Sequence, residues 1–284
     1  MAGPIHFAMP FAAALALCAL RWLPTIMLVP AFAGHALSGL ARTAVALAFA
    51  LPVAPSVAAA LARAPLPLAH WAGLATKEAA LGIVLASLIA APFWAIQAAG
   101  TYLDYQRGGN PQALDPAASV DASVLGAMLQ QALVVYLIHT GGLHALFDVI
   151  GSSYALWPAL DALPPLGLQA WEPIGALVVS TMRFALSLAF PYLLALGAIE
   201  SCFAVLSRVN SKFPAYVAAL PFKSVMLLLI IAISMPRLLD AAGDIVARHA
   251  VDVRRLMQEI ATAAQRVATE AQAASKQSSI ADER

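Results

Sequence analysis

Residues 79–103 read AALGIVLASLIAAPFWAIQAAGTYL, 25 positions without Asp, Glu, Lys or Arg. At about 1.5 Å of rise per residue a helix of this length spans roughly 37 Å, enough to cross about 30 Å of hydrocarbon. Residues 43–62 and 122–147 are equally free of these four side chains. Pro173–Ile199 is broken only by Arg183, Phe213–Pro236 only by Lys223, and Phe11–Val29 only by Arg21. These six runs predict an all-α integral membrane protein of about six long apolar helices with kinked hairpins. Polar connections are expected at 31–42, 63–77, 104–121, 148–172 and 208–215.

The composition agrees. Of 284 residues 62% are hydrophobic and 11% charged, against about 45–50% and about 25% in soluble domains. A net charge of +1 gives no field that would gather nucleic acid, so no nucleic-acid partner is expected. Met1–Pro10 carries no Lys or Arg and Arg21 comes late, a poor match to a signal peptide, so the first apolar segment is read as a retained helix. Residues 1–239 form the expected membrane domain. Residues 240–284, with six Lys or Arg and apolar Val253, Leu256, Ile260 and Val267 at helical spacing, predict a polar, cytoplasmic tail, either an amphipathic helix or a solvated segment that frays near Ser278.

Placing that tail in the cytoplasm with six spans also places the 148–172 connection there. That connection holds Asp148, Asp161 and Glu172 and no Lys or Arg, the reverse of the positive-inside pattern. Pro24, Pro30, Pro92, Pro191, Pro214, Pro221 and Pro236 predict broken or kinked helices, and irregular backbone at membrane depth survives only inside protein or against a water-filled cavity. The charge conflict leaves either an odd helix count, because one hairpin does not cross, or a fold that does not sit in the bilayer as the hydropathy suggests. The proline density points to a chain buried among other subunits.

No phosphate loop, HExxH, paired CxxC or GxSxG elbow is present, so neither catalytic residues nor cofactors are expected. His139, His144 and Asp148 lack the further ligands of a metal site. Cys18 and Cys202 read as helix packing. Arg21, Arg183, Glu200 and Lys223 are the intramembrane charge candidates, since a central charge costs about 2.5–3.5 kcal/mol on insertion scales unless compensated. Glu200 and Lys223, on consecutive helices, can pair, while Arg21 and Arg183 are expected to snorkel from helix ends. Such charges would also suit a secondary transporter. The densest polar cluster follows residue 99: Gly100 and Asp104 share a helix face, Asp104 and Arg107 can pair at i, i+3, and Gly108-Gly109 end the helix.

In their order along the chain these residues resemble the SctT family of type III secretion export proteins, related to flagellar FliR. The resemblance rests on Gly100, Asp104, Gln106-Arg107-Gly108, Asp115-Pro116 and Leu125-Gly126, then Gly141-Gly142, Ser153-Tyr154 and Trp157-Pro158. Arg21, Pro30, Pro191, Glu200, Arg208, Pro214 and Lys223-Ser224 follow the same order. It covers roughly residues 11–240 and is closer to the injectisome than to the flagellar branch. The stretch 208–216 departs from the family's more regular Arg-x-x-Pro-Gln segment.

The resemblance implies a non-catalytic subunit of an inner-membrane export gate, built with the R and S subunits into a helical cone. The U switch subunit, the large V subunit, unfolded proteins in transit and membrane lipid would be further partners. The assembled helices would rise above the membrane plane toward the periplasm. Proton motive force and a separate ATPase would supply the energy.

Overall fold

A computed structural model describes residues 4–32, 37–63, 67–109, 123–161, 171–209 and 214–282. They form eight helices and no strand among the described residues: α1 Pro4–Leu28, α2 Gly39–Ala50, α3 Ala54–Arg63, α4 Leu68–Gln106, α5 Val124–Thr140, α6 Gly142–Leu156, α7 Trp171–Val209 and α8 Ala215–Asp282. Within α1, α4, α7 and α8 lie segments long and apolar enough to cross a membrane; α2 with α3, and α5 with α6, could each supply one bent span. The chain is therefore an all-α integral membrane protein of four to six candidate spans.

The apolar runs over 43–62 and 122–147 are bent, by 71° between α2 and α3 and by 83° between α5 and α6, in keeping with the expected kinked hairpins. Gly141, at φ 75, makes the second corner: it caps α5 in the left-handed region that favours glycine. Pro24, Pro92, Pro191, Pro221 and Pro236 sit inside helices that continue through them, so of the broken or kinked helices expected at these prolines the broken form does not occur. A proline withdraws one ladder hydrogen bond, which a long, well-packed helix absorbs. Two expected connections are shorter than their polar residues suggest. Helix α4 already includes Lys77, and α6 extends to Leu156. Helix α8 runs through Asp240 without a break and, at 68 residues, is about 100 Å long.

The chain divides into two compact units. The first comprises Met1–Ala90, His144–Leu177 and His249–Arg284. Here α1 packs on α2 and α3, and Trp22 stacks on Phe49 with ring centroids 4.9 Å apart, both near Phe147. His249, Val253, Leu256 and Met257 of α8 are buried in this unit. The second comprises Ala91–Leu143 and Val178–Arg248. In it α7 and α8 run antiparallel, joined by Tyr192 and Ser234 hydroxyls 2.7 Å apart and by Phe203 near Phe222. Large apolar side chains on both helices face outward, among them Met182, Leu186, Phe190, Val225, Leu229 and Ile233.

Candidate functional site

In the first unit, a cluster of buried charges is built on glycine. A Cβ at Gly82 would lie 2.6 Å from the Arg21 carbonyl oxygen and 2.9 Å from its Cα, so only glycine lets the α1 and α4 backbones meet at this height. Glu78 lies one turn earlier on the same face of α4. Its carboxylate takes a fork of two bonds from Arg21, Nε to Oε2 at 2.8 Å and Nη2 to Oε1 at 2.7 Å. Both side chains are fully buried. Arg21 Nη1 donates to Ser153 Oγ at 2.9 Å, Nη2 also donates to the Trp157 carbonyl at 2.9 Å, and the guanidinium lies 4.0 Å above the Tyr154 ring. Tyr154 in turn donates its hydroxyl to the Cys18 carbonyl, one turn from Arg21 on α1.

Lys77 completes the cluster. Its ammonium lies 3.0 Å from Glu78 Oε1 and 2.8–2.9 Å from the carbonyl oxygens of Pro158, Ala159 and Asp161. These carbonyls follow the C-terminal end of α6, where helix carbonyls lack internal partners and the dipole favours a cation. The cluster thus holds two cations and one carboxylate, stitching α1, α4 and α6 together. Arg21 does not snorkel from a helix end as expected; the bidentate carboxylate in the interior removes the reason to reach for water. Lys77 and Glu78 were absent from the expected charge candidates. Their signal was a Lys-Glu pair at the edge of the charge-free run 79–103.

The second unit contains the Gly100–Gly109 cluster. A Cβ at Gly100 would meet Gly126 Cα at 2.6 Å, and one at Gly126 would meet the Gln97 carbonyl at 2.6 Å. At this close contact between α4 and α5, buried Asp104 reaches the start of α5. Its Oδ2 accepts from Ser123 Oγ at 2.5 Å and Leu125 N at 2.9 Å, while Oδ1 is held by Arg107 Nε at 2.8 Å and Nη2 at 2.7 Å. Ser123 itself caps α5 through Gly126 N. Helix α4 ends in a Schellman turn: Gly108, at φ 89, donates to the Tyr105 carbonyl at 3.0 Å, and Gly109 to the Asp104 carbonyl at 2.9 Å.

Lys223 of α8 is buried and pairs with Glu200 of α7 at 2.8 Å, while the Glu200 side chain is half exposed. The Gln106 carbonyl lies 3.5 Å from the same ammonium. Arg183 is exposed on α7, and His139, His144 and Asp148 are exposed. Cys18 is packed, but Cys202 is exposed rather than packed as expected. Gly142 lies against Leu137, which a Cβ would crowd at 2.7 Å. Asp115 and Pro116 lie outside the described residues. Among the described residues no group of His, Cys, Asp and Glu is placed to hold a metal ion.

Buried charges held by ion pairs and hydrogen bonds between long apolar helices, with broad apolar faces left outward, define a multi-pass membrane protein. The chain matches the bacterial export proteins, family 1, over residues 12–249 and belongs to that family. It is 32% identical over 213 residues to the surface presentation of antigens protein SpaR of Salmonella typhimurium, which covers 74% of this chain and 78% of that protein. It is 28% identical over 168 residues to the Yop proteins translocation protein T of Yersinia pestis, covering 59% of this chain and 64% of that protein. To the flagellar biosynthetic protein FliR of Bacillus subtilis it is 22% identical over 168 residues, 58% of this chain and 65% of that one.

Proposed function

We propose that the chain is a non-catalytic core subunit of a type III secretion export gate. With the R and S subunits it forms the channel through which unfolded proteins cross the bacterial inner membrane. The observation that carries this reading is the 32% identity to SpaR across 74% of the chain, higher than the 22% to FliR over a shorter stretch. The flagellar export gate is the second reading, favoured by that FliR similarity alone.

The physical features fit a gate wall. Large apolar side chains along α7 and α8 are uncovered by the chain itself, and neighbouring subunits would cover them. Residues 1–239 make up the gate domain, its helices rising above the membrane plane toward the periplasm; residues 240–284 form the cytoplasmic tail. The U and V subunits are further partners. The motif residues act in assembly: Gly100, Gly126 and Asp104 set the junction that Arg107 and Gly108 close, and Ser153, Tyr154 and Pro158 hold the cations of α1 and α4. Arg183 and Glu200, on the outer face of α7, meet neighbouring subunits.

The test is deletion of the gene in its own bacterium, followed by complementation. Loss of secreted effector proteins with motility intact supports the injectisome gate. Loss of motility with secretion intact supports the flagellar one, and retention of both rejects the proposal.

A further inference from the structure

Helix α4 carries Pro92, and a proline has no N–H. The carbonyl four residues earlier in the helix, that of Leu88, therefore lacks its regular ladder donor. Leu88 is buried, as is His249 of α8, and the His249 Nε2 lies 2.7 Å from the Leu88 oxygen. A carbonyl oxygen can only accept, so Nε2 must carry the proton. Directly after His249, α8 buries Ala250, Val253, Leu256 and Met257 in the same unit.

We infer that His249 is a latch that replaces the hydrogen bond Pro92 withdraws, fixing the start of the distal half of α8 onto α4. Three features support this assignment. The acceptor is the one carbonyl whose i+4 residue on this turn of α4 is an imino acid. The bond is short, and it is shielded from water, where an unpartnered carbonyl is most unfavourable. The latch also gives a reason for proline to persist inside a buried helix: the lost bond within α4 becomes a bond between helices. An apolar residue at 249 would fill the space but leave the Leu88 oxygen bare.

The test is hydrogen exchange on the full chain, extracted in detergent with whatever subunits accompany it, read over residues 250–261. His249→Leu should speed exchange there by about tenfold, as expected for a buried carbonyl deprived of its donor. His249→Gln, which keeps an N–H donor, should recover most of the protection. Pro92→Ala returns an N–H to the Leu88 carbonyl, so in that background His249→Leu should change exchange by less than about twofold. An equal effect of His249→Leu in both backgrounds overturns the latch, as does no effect in either. If Pro92→Ala does not accumulate, the two histidine variants decide, and equal loss by Gln and Leu overturns it.

Discussion

Removing the carboxylate of Glu78 should damage the protein more than removing the arginine it binds. Arg21, Lys77 and Glu78 together carry +1, from two cations and one anion. Glu78→Ala raises the buried charge to +2 and strands both cations; Arg21→Met leaves Lys77 and Glu78 neutral together. Breaking a buried pair by removing one partner destabilises by about 3–5 kcal/mol, and Glu78→Ala belongs at or above the top of that range because two cations lose the same partner. Arg21→Met belongs at the bottom: the fork to Glu78, the bonds to Ser153 and the Trp157 carbonyl and the contact with Tyr154 are lost, but Lys77 still neutralises the carboxylate. The double variant Arg21→Met, Glu78→Met restores +1, carried by Lys77 on its three carbonyls, and should be more stable than Glu78→Ala alone. Thermal unfolding in detergent measures the order. At about 2–4 °C per kcal/mol, Glu78→Ala should lower the midpoint by about 10 °C or more. A midpoint for Glu78→Ala equal to or above that of Arg21→Met would refute the charge reasoning.

Gly82→Ala should force α1 and α4 apart, because the added carbon meets backbone rather than a movable side chain; a loss of about 1–3 kcal/mol would appear as a lower unfolding midpoint, and an unchanged midpoint would exclude the close approach. Asp104→Ala should lose the bonds to Ser123 and Leu125 and free Arg107, weakening α5 by about 1–2 kcal/mol and speeding amide exchange at residues 124–127. Asp104→Asn should recover part of that protection. Tyr154→Phe should cost about 1 kcal/mol through the Cys18 carbonyl while keeping the ring beneath Arg21, so it should be milder than Tyr154→Leu in the same unfolding assay.

The helical class and the positions of α1, α4, α7 and α8 were legible because long charge-free runs have one solution in a bilayer. The Asp104–Arg107 pair and the helix end at Gly108 were also legible, being local along the chain. The bonds from Asp104 to Ser123 and Leu125 and the contact of Gly100 with Gly126 join separate helices and were not legible. The Arg21 cluster was not. Its members are separated by 57 and 132 residues, and no periodicity along a chain reports which helices become neighbours. The corner between α5 and α6 was legible as well, since the Gly141-Gly142 pair permits a sharp turn and the bend falls at Gly141, where a positive φ is required. The bonding of His249 to Leu88 links helices 161 residues apart, although Pro92 already marked the carbonyl that needed a donor.

That this chain is one wall of a larger gate is tested most directly by native mass spectrometry of the complex extracted in mild detergent from bacteria expressing it at natural levels. The account predicts one copy of this chain bound to several copies of two smaller helical subunits, with no free monomer. A stable particle with the mass of a single chain, its α7 and α8 faces covered only by detergent, would contradict it.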